Sequence, residues 1–65
     1  MMILVTNLAA VTRHETPAKA SRQAHRWLRR RAATVGEWAT IIDPTDGSVR
    51  ARYVRREDGR VTRMQ

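Results

Sequence analysis

Hydrophobic positions change their spacing along this 65-residue chain, and each change marks a new element. Met2-Ile3-Leu4-Val5-Thr6 is aliphatic with no polar alternation. Such a run predicts a strand covered on both faces. The stretch from Thr6 to Arg13 fits either a longer strand or a short helix capped by Thr6. A strand over 2–6 followed by a loop is preferred. His14 and Glu15 then fall in the loop.

The helix signal that follows is the clearest in the chain. Thr16 suits an N-cap and Pro17 suits the first helical position, where its missing N–H costs nothing. Alanine and arginine dominate the next turns, and Gly36 supplies a stop, so a helix is predicted over 17–35. At 100° per residue, Ala20, Ala24, Trp27, Leu28 and Val35 share one face. Lys19, Arg22, Arg26, Arg29 and Arg30 gather on the other. Arg31 alone among the cations falls within the apolar arc.

Beyond Gly36 the period becomes two. Residues 37–43, 48–56 and 60–64 read as strands joined at Asp43-Pro44-Thr45-Asp46-Gly47 and at Glu57-Asp58-Gly59. In the middle strand Val49, Ala51 and Tyr53 are expected to point inward, with Arg50, Arg52 and Arg56 outward. Trp27, Trp38 and Tyr53 are assigned to the core. The predicted fold is a single α+β domain over residues 1–65: a small antiparallel sheet on one amphipathic helix, in the order β-α-β-β-β. A core this small and the open edges of its sheet favour a homodimer, with the N-terminal strand as the pairing surface.

Charge sharpens this picture. Thirteen cations face six acids, a net +7. Residues 17–36 hold six cations and no acid, so nearly all the excess lies on the helix. A solvated helix ordinarily mixes signs, because an acid four residues before a cation adds about 0.2–0.5 kcal/mol. A helix without such pairs suits an anionic partner, most often phosphate. Lys19, Arg22, Arg26, Arg29 and Arg30 are the expected nucleic-acid contacts, with Arg50 and Arg52 as secondary ones, and DNA is favoured over RNA. A winged variant would take Asn7–His14 as a first helix, 17–35 as the recognition helix and 38–56 as the wing; the missing glycine between the helices ranks it lower.

The competing class is an adaptor or inhibitor that binds an acidic protein surface or pairs through an exposed sheet edge. Catalysis has little footing: His25 lacks a partner predictable from spacing, and Ser21 one turn before it lacks an oxyanion hole. The chain has no cysteine, and His14 and His25 lack metal-ligand spacing, so neither metal nor cofactor is expected. The apolar runs are too short to span a bilayer and show no signal-peptide pattern, so a cytoplasmic protein is expected. Twelve of the thirteen cations are arginine, a bias that fits a G+C-rich bacterium or its phage.

Overall fold

The computed structural model describes residues 1–64. The chain forms β1 (Met2–Thr6), β2 (Val11–His14), α1 (Pro17–Arg29), β3 (Trp38–Asp43), β4 (Ser48–Arg55) and β5 (Val61–Arg63). The five strands make one antiparallel sheet in the order β2-β1-β3-β4-β5, with α1 packed on one side. The expected α+β class and single helix are present. The strand count and element order differ from the expectation.

The unexpected strand is β2. Instead of a loop or a first helix, residues after Thr6 turn back and pair with β1, Leu4 opposite Thr12 and Met2 opposite His14. The turn is closed by the Ala9 N–H donating to the Thr6 carbonyl at 3.0 Å and the Thr6 N–H donating to the Ala10 carbonyl at 3.1 Å. Ala9 sits at φ 61°, a left-handed conformation that glycine fills more cheaply. No glycine marks this turn in the sequence, so its signature is muted. Asn7 fixes the corner, its Oδ1 accepting from the Trp38 N–H at 2.9 Å. The N-terminal strand therefore lies inside the sheet, between β2 and β3, and has no free edge for a second copy to pair with. The free edges belong to β2 and β5.

Helix α1 starts where expected. Thr16 is extended and its Oγ1 accepts from the Lys19 N–H at 3.2 Å. It ends six residues early, at Arg29, and Val35 is outside it and 58% exposed. One cause is Glu37. In a continuing helix the Thr34 N–H would bond to the Arg30 carbonyl. Here the Glu37 carboxylate takes that N–H, and the Arg30 carbonyl accepts from Ala33 in a tight turn. Good helix formers in sequence give way to a junction held by Glu37 and Arg55, both beyond them.

The core lies between α1 and the sheet. Ala20, Ala24 and Leu28 pack on Met2, Leu4, Ala39, Ile41, Ala51 and Tyr53. Val49 does not join them. Ile41 pairs with Ala51 and Ile42 with Val49, so Arg50 is an additional residue on β4 and the alternation slips there. Val49 consequently shares the opposite face with Ile42. Trp38 also lies on that face, out of step with the core residue Ala39. No described helix is long and apolar enough to cross a membrane.

Replacing Ala9 with glycine relieves the left-handed strain and is expected to raise stability by about 1 kcal/mol. Thermal unfolding followed by circular dichroism checks this; a lower midpoint would place the turn in another conformation.

Candidate nucleic-acid interface

Three small or apolar positions of α1 hold it on the sheet, Ala20, Ala24 and Leu28, each fully buried. That contact directs the rest of the helix. Lys19, Arg22, Arg26 and Arg29 recur at intervals of three and four residues, so they line a single ridge pointing away from the sheet. The ridge runs for about 15 Å at 1.5 Å per residue. All four residues are exposed. No ion pair among the described residues engages Arg22, Arg26 or Arg29. Lys19 meets Glu15 at 3.0 Å, a solvent-exposed pair of little strength.

Beside the ridge the end of β2 and one flank of α1 enclose an open concavity of about 400 Å³, lined by His14, Lys19, Arg22, Gln23 and Arg26. His14, expected in a loop, is the last residue of β2, and its Nε2 lies 2.8 Å from Thr12 Oγ1. His14 and Gln23 were not among the expected contacts. The strand that brings His14 to the helix is the one with the muted turn signal. A comparable concavity of about 410 Å³ is lined by Val35, Arg56, Glu57 and Asp58. It mixes both charge signs, whereas the first is lined by three cations, a histidine and a glutamine and by no acid.

Arg30 is placed differently from its neighbours. Its guanidinium lies 3.9 Å from the centre of the Trp27 ring, donates to the Trp27 carbonyl at 2.8 Å, and meets Glu37 Oε1 at 2.6 Å. The second oxygen of Glu37 accepts from the N–H and hydroxyl of Thr34. Hydrogen bonding from Arg30, then from the Thr34 backbone, holds the Glu37 carboxyl below its ordinary range although burial opposes this. Arg55 adds a bond to the Leu28 carbonyl. Two arginines thus satisfy carbonyls that the helix end would leave open. Arg30 belongs to this junction and is withdrawn from the ridge.

The sheet arginines are engaged as well. Arg50, at the bulge, meets Asp43 at 3.0 Å. The Asp43 carboxyl is held below its ordinary range, first by the Thr45 N–H and then by Arg50. Arg52 donates to Thr40 Oγ1 at 3.0 Å and lies 5.7 Å from the centre of the Trp38 ring. Arg52, in register with Thr40 on the open side of the sheet, faces away from the ridge of α1, and Arg50 is held by Asp43 at the slip in β4, so neither extends the ridge. Arg56 bonds to Thr62 Oγ1 at 2.7 Å.

Ser21, His25 and Tyr53 meet on the other flank of α1. The hydroxyls of Ser21 and Tyr53 are 3.0 Å apart, and the rings of His25 and Tyr53 are 4.7 Å apart between centres. They tie the helix to β4. Among the described residues no three histidine, aspartate or glutamate side chains converge on a point that could hold a metal.

No protein-family model, curated protein or solved structure matches the chain. Arg30→Ala, by opening the junction around buried Glu37, is expected to cost about 2 kcal/mol. Arg26→Ala should leave stability within about 0.5 kcal/mol. Urea unfolding of the two variants separates them, and equal losses would contradict the division of roles.

Proposed function

We propose that this protein binds nucleic acid by laying the outer ridge of α1 along a phosphate backbone. The observation that carries the reading is the ridge of Lys19, Arg22, Arg26 and Arg29, exposed and uncompensated except for one surface pair with Glu15. Cations aligned in this way release counterions when they meet phosphates, and that release drives binding without reading bases. Arginine adds planar, bidentate contact with phosphate oxygens. His14 and Gln23 sit where they supply further hydrogen bonds beside those contacts. Duplex DNA is the favoured form, because its major groove is about 12 Å wide and admits a helix, whereas the A-form groove of RNA is narrow and deep. Arg50 and Arg52 are left out of this contact, since Arg52 lies on the open side of the sheet, opposite the ridge, and Arg50 is paired with Asp43.

Fluorescence anisotropy with labelled duplex DNA, single-stranded DNA and RNA at about 50 and 200 mM salt tests the proposal. Four neutralised phosphates predict a slope of log affinity against log salt of about −3.6 for the duplex. Arg22→Glu/Arg26→Glu/Arg29→Glu, all at exposed positions, should remain folded by circular dichroism and lose binding. Absence of duplex binding at the lower salt, or undiminished binding by the folded triple variant, would overturn the proposal.

A further inference from the structure

The sheet face turned away from α1 takes no part in nucleic-acid binding through the ridge, and it is apolar along its middle. Ile3 and Val5 of β1 lie in ladder register beside Ile42 and Thr40 of β3, and Ile42 lies beside Val49 of β4. On the same face Arg13 of β2 stands opposite Ile3, and Arg52 of β4 stands opposite Thr40. No ladder position on this face holds an acid, and no carboxylate among the described residues pairs with Arg13 or Arg52. The surface is thus an apolar track over β1 and β3 with a cation on the strand at each side.

We propose that this face docks an acidic amphipathic helix supplied by a partner protein. The class of element follows from backbone chemistry. A sheet face offers side chains and no free N–H or C=O, so an extended segment lying on it would leave its own backbone groups unpaired. A helix satisfies most of these internally and needs only an apolar stripe. Helix α1 covers the other face in this manner, and a second helix would complete a three-layer arrangement. The dimensions agree. From β2 to β4 is three strand spacings, about 14 Å, and a helix with its side chains is about 10–12 Å across. A helix lying over Ile3, Val5 and Ile42 therefore has Arg13 along one flank, and on the other it meets Arg52, whose guanidinium reaches over Thr40 and Trp38 of β3.

Charge selects the partner. A second copy of this chain would bring Arg13 and Arg52 toward cations of the same face, and like charges across an interface are penalised. Acidic flanks reverse that sign. Single-stranded nucleic acid fits less well, since such binders stack bases on aromatic rings. The aromatic residue of this face is Trp38, and Arg52 already lies over its ring at 5.7 Å.

The inference rests on the sheet and stands or fails independently of the ridge on α1. Its test is titration calorimetry at about 50 mM salt with a synthetic amphipathic peptide of about 18 residues, leucine on one face and glutamate on the other, beside a lysine counterpart. The glutamate peptide should bind and the lysine peptide should not. Arg13→Glu/Arg52→Glu should weaken binding at least about tenfold, while Arg22→Glu/Arg26→Glu leaves it unchanged. Failure of the glutamate peptide to bind, or loss of binding through the α1 variant instead, overturns the proposal. So does a homodimer in sedimentation equilibrium that Val11→Glu dissolves, Val11 being 61% exposed on this face.

Discussion

Everything outward on this molecule is set by one contact, the seating of α1 on the sheet through Ala20, Ala24 and Leu28. The three positions are fully buried, and two of them are the smallest side chain with a Cβ. Small residues let the helix backbone approach the strands closely, so its rotation about its own axis is fixed. Leu28 and Ile41 are the largest fully buried side chains, which makes the core thin. A thin core gives the flanking polar contacts more weight. Tyr53 with Ser21 ties one side of the helix, and Glu37 with Arg30 and Thr34 ties its end.

The same rotation explains how a helix without internal acids holds its charge. Like charges spaced by three and four residues repel by a few tenths of a kcal/mol each. Arg26 and Arg29 occupy the last turn, where the helix dipole favours cations. Lys19, in the first turn where the dipole opposes it, is the ridge cation that has an acid beside it. The repulsion that remains is greatest at the centre of the ridge, and an approaching polyanion would relieve it. Arg30 and Arg55, though part of the same basic composition, are consumed in closing the helix end.

Much of the fold was legible because local signals and the final structure agree. Thr16-Pro17 opens α1, alternation marks β3 and β4, and Gly47 and Gly59 adopt the left-handed conformations their turns require. The failures share a cause: each depended on something distant or unsignalled. Strand β2 follows a turn in which Ala9 occupies a position usually given to glycine. The helix end is held by contacts from Glu37 and Arg55, beyond the stretch whose propensities favour continuation. The slip at Arg50 turns Val49 away from the core, and no feature of β4 alone announces it. Of the candidate site, the four ridge cations follow from helical periodicity. The withdrawal of Arg30 and the arrival of His14 require the tertiary structure.

The most direct measurement is an amide chemical-shift map of the protein titrated with unlabelled duplex DNA. Docking through the helix predicts shifts concentrated at Lys19, Arg22, Arg26 and Arg29, reaching His14 and Gln23, with Ile3, Val5 and Ile42 unmoved. Shifts centred on the open face of the sheet, with the helix amides silent, would contradict the assignment of α1 as the docking surface.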